Sequence, residues 1–164
     1  MNSGRHGEFE WASATHDGYQ ASGVSRIERC IAIGSSRTWV CCDLAAGQSH
    51  DELLGYLHFG IGVSVEQIDT NDSRIEFLIQ DEQTKRGLQF FGTMQAQLHD
   101  GWYCPAFGFR EKNRVIEYQL NSINSVGGWV LSEVDAQLAI ECSGKDFTLK
   151  NASDDTTFEW HSGR

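Results

Sequence analysis

Hydrophobic side chains recur at every second position through much of this chain, and this period constrains the fold more than any other feature. In the stretch 74–80, the apolar residues Ile75, Phe77 and Ile79 alternate with neighbours that are mostly polar. A period of two is typical of β-strands that bury one face and expose the other. Comparable stretches lie near residues 8–11, 27–33, 53–59, 115–120, 137–142, 147–149 and 158–160. The chain is therefore predicted to consist mainly of strands.

Short polar and glycine-rich segments separate these stretches and predict turns. They lie at residues 17–18, 34–36, 46–47, 71–72, 100–101, 127–128, 143–144 and 151–154. Residues 81–86 are the one candidate for a short helical turn, and a polar loop is the better prediction there. Many short strands separated by tight turns indicate an all-β fold, either a sandwich or a barrel.

The composition fits a single domain that spans residues 1–164, a length that allows one sizeable core. The chain has 13 Lys and Arg against 23 Asp and Glu, which gives a formal net charge of −10. A surface this acidic repels nucleic acids and anionic membranes, so neither is an expected partner. It would also repel an acidic polysaccharide unless arginines outweigh the acidic field locally.

The five cysteines have no spacing that is typical of a disulfide framework or a zinc site. Cys41 and Cys42 are adjacent, so in a strand they would point to opposite faces. We interpret most of the five as small buried hydrophobic side chains. No apolar run approaches the roughly 20 residues that a membrane-spanning helix needs.

Five short motifs occur in an order and at spacings that resemble a known family. They are residues 15–19 (THDGY), 24–29 (VSRIER), 39–44 (WVCCDL), 57–59 (LHF) and 101–108 (GWYCPAFG). Together they resemble the C-terminal region of heparinase II/III-type polysaccharide lyases, with the likeness strongest over residues 8–120. The resemblance implies an antiparallel β-sandwich of the super-β-sandwich or jelly-roll-like type.

The same resemblance implies that catalysis lies elsewhere. In that family, an N-terminal α-helical toroid supplies most catalytic residues, and His-x-His and His-Asn-Thr segments help to form a metal site. This sequence contains neither the toroid nor those segments. We therefore expect the C-terminal part of a larger protein, with no catalytic residue, metal or cofactor of its own. The parent protein is expected to be bacterial, periplasmic or extracellular, and to act on glycosaminoglycans or alginate.

A pair of residues, His16 and Tyr19, flanks the Asp17-Gly18 turn. Asp-Gly favours a two-residue hairpin turn, which would bring both side chains together across the strand pair. Histidine and tyrosine suit sugar hydroxyls and ring stacking, so they are predicted to bind substrate in the family context. The alternative is a hairpin whose flanking residues only pack and hydrogen-bond.

Two arginines follow on the next predicted strand. Arg26 shares a face with Glu28, whereas Arg29 points to the opposite face, among isoleucines. An arginine on an apolar face is rarely unpaired, and Asp43 and Glu28 are its candidate partners. The alternatives are an ion pair that joins neighbouring strands and a bidentate clamp on a sugar carboxylate or sulfate.

An aromatic segment, with Trp102, Tyr103 and Phe107, follows the predicted turn at 100–101. Exposed aromatic rings either stack on sugars or seal a domain interface, and we favour the interface or core. Trp102 and Tyr103 are nevertheless included among the candidate substrate-binding residues. Residues 111–114 are predicted to form a solvated charged turn.

A metal set made of His50, His58 and Asp43 is conceivable because these residue types bind zinc. Their spacing is not that of a chelating motif, so no metal site is predicted.

β-Elimination from a uronate needs a group that neutralises the carboxylate, a base and an acid. His16, Tyr19, Arg26 and Arg29 are chemically suited to these roles, but the resemblance places principal catalysis outside this chain. We therefore predict a domain that braces the catalytic toroid and contributes to one wall of the acidic-polysaccharide cleft. The alternative is a free-standing carbohydrate-binding β-sandwich module.

Overall fold

The fold was obtained as a computed structural model. The structure describes residues 1–18, 20, 23–34, 37–48, 53–71, 74–120, 123–152 and 155–162. Within these ranges the chain is built from β-strands and turns, which confirms the predicted all-β class. No helix in these ranges is long and apolar enough to cross a membrane.

Fourteen strands follow one another in the described part of the chain. They are β1 (Asn2–His6), β2 (Phe9–His16), β3 (Val24–Ile33), β4 (Trp39–Gly47), β5 (Leu54–His58), β6 (Ser64–Asn71), β7 (Arg74–Gln80), β8 (Lys85–Phe91), β9 (Thr93–Ala106), β10 (Phe109–Leu120), β11 (Val126–Glu133), β12 (Leu138–Ser143), β13 (Asp146–Asn151) and β14 (Thr156–His161).

The described strands form three antiparallel sheets. The central sheet has eight strands in the order β1-β2-β3-β4-β11-β8-β7-β6. The two smaller sheets have three strands each, in the orders β5-β10-β9 and β12-β13-β14. The insertion of β11 between β4 and β8 ties the two halves of the central sheet together.

The central sheet has a separate core on each face. Alternate residues of a strand point to opposite faces, and in β4 Val40 and Cys42 join a cluster with Phe147 of β13. On the other face, Trp129 of β11 packs with the cluster that contains Tyr118 of β10. The small sheets therefore cover opposite faces of the central sheet, and the predicted sandwich is a three-layered one.

Three predicted turns, at 46–47, 100–101 and 127–128, instead lie within β4, β9 and β11. The glycines at 127–128 are explained by close packing rather than by chain reversal. A Cβ atom on Gly128 would lie 2.0 Å from the carbonyl oxygen of Cys41, and one on Gly127 would lie 2.5 Å from that of Gly92. Glycine is required there because the neighbouring backbone leaves no room for a side chain.

Three further local predictions are corrected. The predicted charged turn at 111–114 lies within β10. The predicted hairpin at 17–18 is a longer connection, because the Cα partner of His16 in β3 is Ile27. The strand partner of His16 is therefore not reached through a two-residue turn. The polar loop predicted for residues 81–86 covers only 81–84, because β8 begins at Lys85.

Candidate functional site

The central feature of the site is a network of Arg29, Asp43 and Tyr118. The backbone nitrogen of Gly34 donates to the carbonyl oxygen of Thr38 at 2.8 Å, which marks a hydrogen-bonded pair of the β3–β4 ladder. Counting along the register makes Arg29 and Asp43 a non-hydrogen-bonded pair. Side chains lie closer together at such pairs.

The Arg29–Asp43 contact is bidentate. Arg29 Nε donates to Asp43 Oδ1 at 2.6 Å, and Nη2 donates to Oδ2 at 2.9 Å. Tyr118 Oη donates to Asp43 Oδ2 at 3.1 Å from β10, in the covering sheet. The predicted Arg29 ion pair is thus present, with Asp43 rather than Glu28, and it also links two sheets.

Burial differs sharply within this network. Asp43 is 5% exposed and Tyr118 is 2% exposed, whereas the Arg29 side chain is 54% exposed. The hydrogen bond to Asp43 raises the pKa of Arg29. Burial, with the negative charge of Asp43 second, raises the pKa of the Tyr118 hydroxyl. The tyrosine therefore stays protonated as the hydrogen-bond donor at ordinary pH.

A small cavity of about 90 Å³ opens beside the network. Arg29, Asp43 and Tyr118 supply its polar lining. The remaining lining is apolar or lacks a side chain: Ile27, Ala45, Leu53, Leu54, Gly55 and Leu120. Two guanidinium nitrogens of Arg29 already donate to Asp43, and a sugar carboxylate or sulfate would need the same nitrogens. The geometry thus favours the ion-pair interpretation over the clamp.

Arg26 and Glu28 lie on the other face of β3, as predicted. Arg26 Nη2 lies 3.7 Å from Glu28 Oε2. Glu28, which is 6% exposed, also accepts a hydrogen bond from Ser162 Oγ at 2.8 Å. This contact joins β3 to the segment that follows β14, so Arg26 and Arg29 serve opposite faces of the central sheet.

His16 is exposed at the end of β2, and its Nδ1 accepts a hydrogen bond from the backbone nitrogen of Gly18 at 2.9 Å. Tyr19 lies outside the described residues. The predicted role of this pair in sugar binding stays a prediction.

Trp102 and Tyr103 lie on a different sheet, in the β9–β10 hairpin. They are 49% and 46% exposed, so they do not belong to either core. The guanidinium carbon of Arg110 stacks 4.3 Å from the centre of the Trp102 ring. The described candidate binding residues are therefore dispersed, because Arg26 and Arg29 lie on opposite faces of β3 and the two aromatic residues lie on this hairpin.

Two of the three residues considered for a metal, Asp43 and His58, lie in the described part of the chain. Asp43 is engaged by Arg29 and Tyr118, and His50 lies outside the described residues. His58 is exposed on β5. Among the described side chains, no group of three or more His, Cys, Asp or Glu is arranged to hold a metal ion.

Three of the cysteines are buried, as expected for most of them. Burial raises the pKa of Cys30 and of Cys41 to about 12, and Cys42 is shifted upward for the same reason. All five are free thiols, with Cys104 and Cys142 exposed. The buried thiols are therefore protonated packing groups rather than nucleophiles.

Tyr118 is the residue of this site that sequence reasoning missed. The alternating pattern at 115–120 predicts the strand that contains Tyr118, but nothing in the sequence pairs this residue with Asp43, 75 residues away. The available signal was Asp43 itself, a single carboxylate within the apolar run of 40–45. A buried carboxylate requires partners, and one of them proved to be a buried phenol.

Comparison with known proteins gives structural matches alone. No protein-family model and no curated protein sequence matches the chain. A solved heparinase III gene product superposes with a TM-score of 0.69 at 14% identity, over 95% of this chain and 26% of that chain. Heparan sulfate lyase HepC from Pedobacter heparinus superposes with a TM-score of 0.67 at 10% identity, over 98% of this chain and 27% of that chain.

The chain thus spans about a quarter of the length of the solved proteins that it matches. At these identities the likeness concerns the fold. The resemblance read from the five motifs is confirmed at that level: this chain has the β-sandwich fold of a part of heparinase III and heparan sulfate lyase.

Proposed function

We propose that this chain is the β-sandwich domain of a heparinase II/III-like polysaccharide lyase, which braces a helical catalytic domain and is not catalytic alone. The fold likeness supports this role, because the matched proteins are heparin-degrading or heparan-sulfate-degrading enzymes by name and are about four times longer. A bacterial, periplasmic or extracellular parent protein is part of the same proposal.

The observation that carries the proposal is an uncovered apolar area on the central sheet, here called the open face. It is the side of β2–β4 opposite the β12–β14 sheet, and its large side chains are Ile31, Ile33 and Trp39. These residues are 41%, 40% and 42% exposed. Exposed apolar residues that cluster on one face mark a binding surface rather than ordinary solvent exposure.

The layout of the open face resembles a protein–protein interface. Ile33 and Trp39 form a non-hydrogen-bonded pair by the register of β3 and β4, so their side chains lie side by side. Arg29 lies next to Ile31 on the same face of β3, two positions earlier in the chain. Glu10 is the cross-strand partner of Ile33. An apolar centre with charged residues at its rim is the usual anatomy of such an interface.

A domain bound at the open face would also border the Arg29 cavity. Arg29 lies two residues from Ile31 and lines that cavity. Ligand clefts are frequent at domain interfaces. This position supports the finer proposal that the chain contributes to one wall of a polysaccharide cleft.

A free-standing carbohydrate-binding module is the second candidate function. The exposed Trp102 and Tyr103 favour it, because aromatic rings on a projecting surface can stack on sugars without a partner domain. Selective glycan binding that is lost in Trp102→Ala and Tyr103→Ala, in a chain that binds no helical catalytic domain, would support the module.

The test of the proposed role uses the expected helical catalytic domain, whose coding sequence should lie next to the codon for Met1. We expect the separately produced polypeptide to bind this chain, and Ile33→Asp to weaken binding at least tenfold because it buries an unpaired charge. Ile61→Asp, at an exposed isoleucine outside the open face, is the matched control. Absence of such a polypeptide, or equal binding by both variants, would overturn the proposal.

A further inference from the structure

The β9–β10 hairpin extends beyond its own sheet as a two-stranded arm. β5 pairs with β10 over residues 115–119 only, whereas β9 and β10 continue to pair as far as Ala106 and Phe109. Residues 102–112 are all exposed. Six residues from Gly101 to Ala106 correspond to roughly 20 Å of strand. The arm therefore carries its side chains away from the body of the molecule.

The two faces of this arm differ in charge. Register pairs Trp102 with Lys112 and Asp100 with Arg114, which places all four on one face. Arg110 belongs to the same face, because its guanidinium stacks on the Trp102 ring. We call this face, with Arg110, Lys112, Arg114 and Trp102, the cationic face.

Positive charge is concentrated on the cationic face of an otherwise acidic molecule. It holds three of the 13 Lys and Arg of a chain whose net charge is −10. Arg114 is paired with Asp100, whereas Arg110 and Lys112 have no carboxylate partner within the described ranges. Glu111 pairs with Tyr103 and so lies on the other face.

The shape of the arm limits the effect of the acidic body on these cations. Charges in water are largely screened beyond about 8 Å at physiological ionic strength. Arg110 lies near the tip of the arm, so its local field is set by its neighbours rather than by the net charge. A cationic surface on an acidic protein is thus available to an anionic ligand.

The spacing of the cations points to an extended polymer. Same-face residues of a strand are about 7 Å apart, so the row from Arg110 to Arg114 spans roughly 13 Å. That length exceeds a single carboxylate or sulfate group and fits successive groups along a chain. The guanidinium of Arg110 lies over the Trp102 ring and carries the donor fork that suits carboxylate and sulfate groups.

We propose that the cationic face of the β9–β10 arm binds an acidic polysaccharide, with its sulfate or carboxylate groups on Arg110 and Lys112 and a sugar ring near Trp102. The inference deepens the proposed function and rests on it for the class of ligand. It adds Arg110 and Lys112 as binding residues and needs no participation of Arg29.

Binding of heparan sulfate and alginate to the purified 164-residue chain tests the proposal by titration calorimetry. We expect Arg110→Gln with Lys112→Gln to weaken binding about tenfold and to flatten its salt dependence, because two ion contacts are lost. The charge-matched control is Lys85→Gln with Lys145→Gln, at exposed positions off the arm. All four residues are exposed, so circular dichroism should show unchanged folding.

Several outcomes would overturn the proposal: no binding of either glycan, equal weakening by the two double variants, or equally tight binding of single-stranded DNA. Tighter binding of heparan sulfate would support the proposal and identify sulfate as the recognised group. Tighter binding of alginate would support it and identify carboxylate as the recognised group. Ile33→Asp should leave glycan binding unchanged. Failure of docking is therefore distinguishable from failure of the arm.

Discussion

Arg29 and Asp43 form one ion pair but have unequal surroundings. Asp43 is buried beneath the covering sheet, whereas half of the Arg29 side chain faces solvent. Removal of the arginine leaves a buried carboxylate to which the Tyr118 hydroxyl still donates. Removal of the carboxylate leaves an arginine that water can solvate. The two substitutions should therefore differ in cost.

We predict that Arg29→Ala lowers the free energy of unfolding by about 2–3 kcal/mol and Asp43→Asn by only about 1 kcal/mol. Urea unfolding of both single variants and of the double variant measures these values. The double variant should lose less than the sum, because the two residues are coupled. Equal costs, or strict additivity, would contradict the asymmetric burial of the pair.

The buried thiols predict a loss of stability in alkaline solution. Burial raises the pKa of Cys30 from 9.0 to about 12, so above pH 9 the unfolded chain releases a proton that the folded chain keeps. Stability linked to this thiol is complete below pH 9 and declines as the pH rises toward 12.

Between pH 9 and pH 11 we therefore expect the unfolding free energy of the wild type to fall by roughly 2 kcal/mol more than that of Cys30→Ala. Urea unfolding at several pH values gives both slopes. The difference between the two slopes excludes the cost of the substitution, because that cost does not change with pH. It also excludes the titration of other groups, because both proteins share them. Parallel curves would show that the thiol of Cys30 does not remain protonated in the folded state.

Strand β5 depends on one glycine for its position. Gly55 is the cross-strand partner of Tyr118, and a Cβ atom at Gly55 would lie 2.2 Å from Cζ of that ring. The absence of a side chain on β5 thus lets the tyrosine reach Asp43 in the central sheet.

Gly55→Ala should displace the Tyr118 ring, break its hydrogen bond to Asp43 and lower stability by about 2–3 kcal/mol. Thermal unfolding and near-ultraviolet circular dichroism report both effects. Gly60→Ala is the matched control, because the nearest atom to its Cβ position lies 3.9 Å away. A neutral Gly55→Ala variant would contradict the described packing of β5 on β10.

Strands in which apolar and polar residues alternate could be predicted from the sequence. Strands that are buried on both faces could not. The period of two identified β7 because Ile75, Phe77 and Ile79 face one core while their neighbours are more polar. β11 gave no such pattern, since Val130 faces one core and Trp129 the other. Its glycines look like a turn in the sequence, although packing against neighbouring backbone explains them. The long β9 was likewise divided at Asp100-Gly101.

The site was only partly predictable for a related reason. The alternation within β3 separated Arg26 from Arg29 and suggested Asp43 as a partner, because these inferences need local geometry alone. The contact between Tyr118 and Asp43 depends on how one sheet lies over another. No local pattern in the sequence encodes that arrangement.

At the scale of the whole molecule, the two cores share strands and should not unfold separately. Phe147 belongs to one core and Phe77 to the other, and both are fully buried. Strands β8 and β11 contribute residues to both clusters, so loss of either core disrupts the central sheet. Unfolding is expected to be a single cooperative transition.

We predict that Phe147→Ala and Phe77→Ala each cost about 3–5 kcal/mol and each lower one shared melting transition. Far-ultraviolet circular dichroism and tryptophan fluorescence should give the same midpoint in every variant. Two separated transitions, with only one shifted by each substitution, would contradict the three-layered arrangement around a common sheet.

The most direct test of the central claim is a lyase assay of the purified chain. Heparan sulfate and alginate are incubated with the chain alone, and the ultraviolet absorbance of unsaturated uronate products is followed over time. A supporting domain predicts no increase in absorbance above the protein-free control. Sustained product formation by the chain alone would contradict the account, because it would place catalysis within the β-sandwich itself.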